Sequence, residues 1–455
     1  MNVCIIGTGY VGLTTGACLA FLGHKVVCID ADARKVAMMK AGQSPIYEPF
    51  LSELLVEAAP NLHFTTNYAE GIPDAEVIFI AVGTPPSPNG SPDLKYLCAA
   101  AKGIGQHFDG EFAVVVNKST VPIGSGNWVG SLVRESYEQH HEGRKLEKRV
   151  SVASNPEFLR EGTALHDSLY TDRVVVGSDD HRALEMLYSL YRPVLDQTFT
   201  APTYLPRPEG MGAVPLISTD LASAELIKYA ANAFLATKIS FINEIGWLAE
   251  KVGADITQVA KGIGLDARIG MRFLQAGLGW GGSCFGKDTA ALVATAAEYG
   301  VSAPIVQAAR DINKRQRERV VEKLLGELKI LKGRTIGLLG LAFKPNTDDL
   351  REAPAIDIAQ KLLDRGCKVK VHDPVSMERF RHEYPNMPVV ICENAESVAD
   401  EADALVLVTE WHQYRDLPWE DLMKRMASPI ILDGRHALDR ARLTRFGYRY
   451  IGIAG

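Results

Sequence analysis

Seven cysteines in 455 residues form no C-x-x-C pair, and their number is odd. Neither a zinc cluster nor a disulfide framework is supported by that spacing, and no metal is expected. No apolar run approaches the ~18 residues of a membrane span. The N-terminus enters a strand pattern directly, without a basic leader or a small-residue cleavage site, so a cytoplasmic protein is the expectation. Positive charge is also scarce: 49 Lys and Arg stand against 55 Asp and Glu, a formal net charge of -6. No overall positive field exists to hold a nucleic-acid backbone. Neither nucleic acid nor membrane is therefore an expected partner, and a phosphate-bearing ligand must be met by local cations. What is present is an ordinary globular balance, 47% hydrophobic and 23% charged. That excludes a mainly disordered chain and, at this length, implies two or three domains.

Near-continuous apolar runs alternate with helical stretches up to about residue 205: Val3 to Ile6, Lys25 to Ile29, Val77 to Ile80, Ala113 to Val116 and Arg173 to Val176. Such runs predict a parallel sheet covered on both faces. From Asp220 to Val252 helical spacing runs on without proline, enough for a helix of about 50 Å that joins domains or meets a partner subunit. Beyond Arg334 the β–α alternation returns, with strands at 335–339, 368–372, 404–408 and 430–432 and a helix over 353–365. The fold class is α/β: two doubly wound Rossmann-like domains joined by a helical central domain with one long helix, divided as 1–212, 213–315 and 316–455. The charged stretch 140–149 reads as a solvated loop, and Pro206 to Ser218 as an insertion before the long helix.

Gly7-x-Gly9-x-x-Gly12 follows the first strand and opens a helix. The first glycine permits the turn, the second lets a pyrophosphate approach the backbone, and the third allows helix and strand to pack closely. Asp30 ends the second strand, where a carboxylate binds ribose hydroxyls and repels a 2′-phosphate, favouring NAD over NADP; Lys35 lies near enough to touch the adenosine. Thr84 and Thr120 follow the third and fourth of these strands and either face the cofactor or cap the next helices. Asn155-Pro156-Glu157 resembles a helix start, with Glu157 and Glu161 on one face, as catalytic acids or as plain dipole partners. Lys228 and Asn232, also four apart, interrupt an apolar stripe on the long helix; they form a polar site unless the lysine merely snorkels. Cys284 follows a glycine-rich run and begins a helix beside Lys287. Thiols so placed become reactive thiolates, and Asp288, four residues on, points to the same site as a base or water-positioning group. Lys344, after Phe343, and Arg435 both follow strands of the last zone, where cations clamp a diphosphate or simply face solvent.

Together GTGYVG at 7–12, KSTVPIG at 118–124, NPEFLREGTA at 155–164, ELIKYAANAF at 225–234, GWGGSCFGKD at 279–288, FKPNTDDLRE at 343–352 and DGR at 433–435 resemble the UDP-glucose/GDP-mannose dehydrogenase family, and its UDP-glucose-oxidising branch best. The resemblance implies an NAD-binding domain, a central dimerisation domain carrying the catalytic cysteine, and a C-terminal UDP-sugar-binding domain. It implies two successive oxidations of a nucleotide sugar at C6, with Cys284 as nucleophile. Lys228 and Asn232 would steady an oxyanion, while Glu157, Thr120 and Asp288 manage protons and water. Gly7, Gly9, Tyr10, Val11, Gly12, Asp30, Lys35, Thr84, Thr120, Glu161, Lys287 and Arg351 would hold NAD. Glu157, Phe158, Leu159, Lys228, Asn232, Phe273, Leu274, Gly281, Phe343, Lys344 and Arg435 would line UDP-glucose, with Arg268 reaching in from a neighbouring subunit of a homodimer or higher homo-oligomer. Gly286 departs from the Gln or Pro frequent among relatives and is expected to loosen the loop after the nucleophile. The alternatives are the same chemistry on GDP-mannose or a UDP-N-acetylhexosamine, a one-hydride β-hydroxyacid-type dehydrogenase, which needs no cysteine, and a non-catalytic NAD or nucleotide-sugar sensor.

Overall fold

The computed structural model describes residues 1–85, 87, 92–146 and 148–454. It contains two compact units, Met1–Ala230 and Ala231–Gly455, divided within one continuous helix, Leu221–Val252.

The first unit is built on eight strands: β1 (Asn2–Ile6), β2 (Lys25–Ile29), β3 (Leu62–Thr65), β4 (Val77–Ile80), β5 (Ala113–Asn117), β6 (Val150–Ser154), β7 (Val174–Gly177) and β8 (Leu216–Thr219). Their order is β3-β2-β1-β4-β5-β6-β7-β8. The first six are parallel; β7 meets β6 antiparallel through Ser154 and Gly177, and β8 runs parallel to β7. Alternate residues of the central strands enter two cores. Val77, Phe79, Val114 and Val116 pack on one face, and Ile78, Ile80, Ala113 and Val115 on the other. Burial on both faces is why these strands are apolar without interruption. Chain order reverses between β1 and β4, so the turns at their carboxyl ends flank a crevice of the kind that binds ligands.

The second unit repeats the arrangement with β9 (Thr335–Leu339), β10 (Lys368–His372), β11 (Val390–Ile391), β12 (Ala404–Leu407), β13 (Ile430–Asp433) and β14 (Arg449–Gly452), in the order β11-β10-β9-β12-β13-β14. All neighbours are parallel, and the reversal falls between β9 and β12. Both sheets are thus doubly wound and Rossmann-like, as the strand spacing predicted.

The long helix has 32 residues, about 48 Å at 1.5 Å per residue. In the second unit it exposes Phe234, Phe241 and Leu248 at sevenfold spacing. No described helix is long and apolar enough to cross a membrane.

Two stretches carry more structure than the sequence reading gave them. The end of the supposed insertion at 206–218 enters β8, because β7 offers an open edge whose Val174 N–H already reaches the Pro215 carbonyl, 3.0 Å away. Beyond the helix end at His140 the charged stretch is a mostly exposed loop, as expected, but it is anchored. Leu146 is buried, and the Arg149 guanidinium donates to the Gly110 carbonyl and, at 2.8 Å, to the Tyr137 hydroxyl. Glu147 of that stretch, like Pro86 of the turn after β4, lies outside the described residues.

Candidate active site

At the carboxyl end of β1, a side chain on Gly12 would place its Cβ 1.9 Å from the Gly7 carbonyl oxygen, so only glycine lets the helix Tyr10–Phe21 pack on the turn. A Cβ on Gly9 would meet nothing within 4 Å, and Gly9, the N-cap of that helix, has no side chain to cap it. Open space before uncapped N–H groups, in the turn that carries Tyr10 and Val11, fits a pyrophosphate. Asp30, just beyond β2, is oriented by the glycine turn: its Oδ2 accepts from Thr8 N–H at 2.9 Å and from Thr8 Oγ1 at 2.6 Å. Its other oxygen accepts from Asp32 N–H at 2.9 Å. These groups suit NAD. Lys35 is partly exposed on the helix Ala33–Lys40. Thr84 Oγ1 donates to the Thr120 carbonyl at 2.9 Å, tying together the turns after β4 and β5. Neither threonine is a cap; the caps of the helices Lys95–His107 and Ser125–His140 fall at Leu94 and Gly124.

The stretch 155–162 contains no helix. Asn155 is not an N-cap, because its side chain is spent elsewhere. It donates to the Val175 carbonyl at 2.7 Å and accepts from Lys118 Nζ at 2.8 Å and the Tyr191 hydroxyl at 2.6 Å. The N–H groups of Gly162 and Ala164, each at 2.6 Å, are taken by the Glu48 carboxylate. Glu157 and Glu161 are both buried but not paired along a helix. Glu157 Oε1 forms an ion pair of 2.8 Å with Lys228 Nζ, which also donates to the Glu157 carbonyl at 2.6 Å. Glu157 Oε2 accepts from Leu159 N–H at 2.8 Å. The Phe158 ring carries the Arg173 guanidinium 3.7 Å from its centroid and Lys228 Nζ at 5.5 Å. A cavity of about 70 Å³ is lined by Lys118, Asn155, Glu157, Phe158 and Leu159, among others. Burial lowers the Lys118 ammonium to about 8; Glu157 opposes the shift and Lys228 adds to it.

In the second unit Cys284 is the N-cap residue of the helix Phe285–Glu298. Gly282 before it has φ +85°, and a Cβ there would fall 2.8 Å from the Phe343 ring. A Cβ on Gly281 would stand 2.5 Å from the Glu352 carbonyl oxygen. Asp288, 1% exposed, donates its N–H to the Cys284 carbonyl at 2.8 Å. Its Oδ2 accepts from Asn232 Nδ2 at 2.6 Å, and Lys287 Nζ lies 3.1 Å from Oδ1. Cys284 is only half-buried, at a helix start and three residues before Lys287. By contrast, burial pushes up the thiols of Cys4, Cys18, Cys28, Cys367 and Cys392, that of Cys18 to about 12. The room at Gly286 is filled: a Cβ there would lie 1.9 Å from Glu352 Oε2.

Arg435, after β13, donates through Nε to the Val408 carbonyl at 2.8 Å, and reaches the carbonyls of Gly279 and Phe343 at 3.4 Å each. Lys344 Nζ is 5.4 Å from the Phe343 ring centroid. Leu274 is buried, and the Phe273 and Phe285 rings meet edge-on at 6.3 Å. Arg351 forks onto both Asp349 oxygens, 2.8 Å each. Arg268 is exposed and pairs with Asp266 at 2.6 Å. Sequence reasoning gave no task to Thr8, Glu48, Lys118 or Glu225, and to Asn155 only that of an N-cap. Lys118, Asn155 and Glu225 all stand within quoted motifs, as polar groups beside strand ends or within an apolar stripe. Glu48 carries no such local signal.

Comparison with known proteins finds matches along the chain. The family models named UDP-glucose/GDP-mannose dehydrogenase match as its NAD binding domain over residues 1–195, its central domain over 222–315 and its UDP binding domain over 337–440. The UDP-glucose 6-dehydrogenase TuaD of Bacillus subtilis is 43% identical, covering 99% of this chain and 93% of its own. The UDP-glucose 6-dehydrogenase of Pseudomonas aeruginosa is also 43% identical, covering 100% and 97%. The solved structure of a UDP-glucose dehydrogenase from Pyrobaculum islandicum aligns with a TM-score of 0.88 at 38% identity, covering 99% of this chain and 97% of that one.

Proposed function

Because the chain belongs to the UDP-glucose/GDP-mannose dehydrogenase family and is an NAD-dependent oxidoreductase, we propose that it oxidises UDP-glucose twice at C6 to UDP-glucuronate, using two NAD and one water. The observation that carries this reading is Cys284 as N-cap of its helix beside Lys287, with the Asp288 carboxylate bonded to Asn232. A single oxidation of an alcohol needs no thiol. A second one needs a nucleophile, a part the thiol can take, because an aldehyde has no hydride to give until something adds to its carbonyl.

NAD, when bound, accepts the hydride removed from C6 in each oxidation. The residues do the rest. In the first oxidation the C6 hydroxyl loses its proton toward Glu157 and Thr120. The Cys284 thiolate then forms a bond from Sγ to the aldehyde carbon, giving a thiohemiacetal whose oxygen is steadied by Lys228 and Asn232, a task for fixed cations and amides. Loss of the second hydride leaves a thioester. Asp288 orients water and takes one of its protons as the water oxygen bonds to C6 and the C–S bond breaks; the thiolate is restored, the uronate leaves as its carboxylate, and the second proton passes to solvent. Phe158, Leu159, Phe273, Leu274, Gly281, Phe343, Lys344 and Arg435 bind the sugar nucleotide, and Tyr10, Glu161, Lys287 and Arg351 serve NAD. We read the segments 1–212, 213–315 and 316–455 as the NAD, central and UDP-sugar parts. Homodimerisation along the exposed Phe234, Phe241 and Leu248 stripe would bring Arg268 to a neighbour's substrate.

The test is NADH formed per UDP-glucose consumed, with GDP-mannose and UDP-N-acetylhexosamines in parallel. Two NADH per UDP-glucose, and a substrate-derived thioester on Cys284 trapped by acid quench and mass spectrometry, are expected. One NADH, or full four-electron turnover in Cys284→Ala, overturns the mechanism. Two NADH from another sugar alone moves the substrate and keeps the chemistry.

A further inference from the structure

Glu225 lies in the second turn of the long helix and is 3% exposed. Among the described residues its carboxylate makes no ion pair. It reaches instead to the loop between β5 and the helix Ser125–His140: Oε2 accepts the Gly124 N–H at 2.6 Å, and Oε1 the Gly126 N–H at 3.0 Å. Those N–H groups belong to the start of that helix, which no side chain of its own cap residue satisfies. A residue about a hundred positions away therefore does the capping. The loop so held begins with Lys118 and Thr120, and the Thr120 carbonyl in turn holds Thr84 Oγ1. Three residues beyond Glu225, Lys228 bonds to the Glu157 carbonyl and carboxylate. One turn of one helix thus grips both loops that leave the carboxyl ends of β5 and β6.

A buried carboxylate is an expensive cap, since desolvation disfavours its charge; burial indeed pushes Glu225 up to about 7. Holding two N–H groups with one side chain, however, needs two acceptor oxygens. An amide offers one acceptor and turns a donor toward the second N–H. Of the charged groups on the elements that meet it, Lys118 is bonded to Asn155, Lys228 to Glu157 and Asp220 to Ser223. None of them neutralises Glu225.

We propose that Glu225 is a positioning residue, whose carboxylate fixes the β5 loop against the long helix and so sets Thr120 in its working place. The proposal rests on the proton-handling role given to Thr120 above. In full-length Glu225→Gln, amide exchange over residues 118–126 at pH 8 is expected to rise about tenfold, the effect of one lost bond to a charged group, while β9 is unchanged. The value of kcat should fall about as much, with KM for UDP-glucose nearly constant. In the wild type, exchange of the same segment, corrected for intrinsic rates, should rise between pH 8 and pH 6 as Glu225 protonates; in Glu225→Gln it should not. Unchanged loop exchange in the variant overturns the proposal, as does a wild-type segment indifferent to pH, or a faster loop with unchanged kcat. If Glu225→Gln fails to fold, the wild-type pH series decides alone. Thr120→Ala separates the two readings: full activity there removes the role of Thr120, whereas the exchange result stands or falls with Glu225.

Discussion

Lys228 and Glu157 form an ion pair of 2.8 Å with side chains only 6% and 7% exposed. Neither charge is affordable alone at such depth, and the additional bonds from Lys228 to the Glu157 carbonyl and from Leu159 N–H to its carboxylate make the pair tolerable. Removing one partner strands the other, which costs about 3–5 kcal/mol, whereas replacing both by apolar groups is often nearly neutral. Lys228→Met should therefore lower the melting temperature sharply, and Lys228→Met with Glu157→Leu should recover most of it. Both should lack NADH production. A double variant no more stable than the single one would mean the two residues are not coupled.

The carboxylate of Glu352 occupies the space over Gly286, where a Cβ would lie 1.9 Å from Oε2. Gly286→Ala must drive that carboxylate away from its place, where burial pushes its pKa up although Arg317 and Arg310 oppose the shift. Overpacking of this kind costs about 1–3 kcal/mol. Thermal melts of Gly286→Ala, Glu352→Ala and the double variant form a cycle. The double variant should be more stable than the sum of the single effects predicts, and simple additivity would show that the two side chains do not compete for the space.

The sheets were legible because burial on both faces makes β1, β4, β5, β9 and β12 near-continuous apolar runs. β3, β6, β8, β11 and β14 were not; Leu216–Thr219, for example, is short, partly exposed and preceded by proline and glycine. The N-cap of the cysteine helix was legible from its local glycines. The false helix at Asn155-Pro156-Glu157 shows the opposite case. Its local pattern is sound, but Asn155 is claimed by Val175, Lys118 and Tyr191, and the N–H groups further on by Glu48, more than a hundred residues away. Glu225 escaped assignment for the same reason: its two partners lie 101 and 99 residues off. Competition from distant groups leaves no trace in a short window.

Glu225 and Lys118 give stability opposite pH slopes in separate windows. Burial raises Glu225 to about 7 from the ordinary carboxylate value of 4.5. The native state therefore holds its proton more tightly than the unfolded chain, and its contribution is lost as pH rises through that window. Lys118 is lowered to about 8 from 10.5, so the unfolded chain binds the extra proton and stability rises with pH above 8. Each window is worth on the order of 3 kcal/mol. Melting temperatures across pH 5 to 10 check this: wild type should gain on Glu225→Gln as pH falls from 8 to 5, and gain on Lys118→Met as pH rises from 8 to 10. Parallel curves would contradict the shifts.

Thr8 holds Asp30 Oδ2 through both its N–H and its hydroxyl, at 2.9 and 2.6 Å, and its side chain is wholly buried. Thr8→Val keeps the shape and the N–H bond but deletes the hydroxyl, so the carboxylate loses one of its three hydrogen bonds without losing its charge. Asp30→Ala deletes the charge itself. If the carboxylate selects NAD both by bonding the ribose and by repelling a 2′-phosphate, the two variants must differ in kind. Thr8→Val should raise KM for NAD by roughly tenfold, the loss of one charge-assisted bond's worth of orientation, while NADP stays excluded. Asp30→Ala should weaken NAD and let NADP in, so that the ratio of kcat/KM for the two cofactors narrows. Steady-state kinetics with both cofactors at saturating UDP-glucose measure this directly. Equal narrowing in both variants would mean that orientation, rather than charge, carries the discrimination.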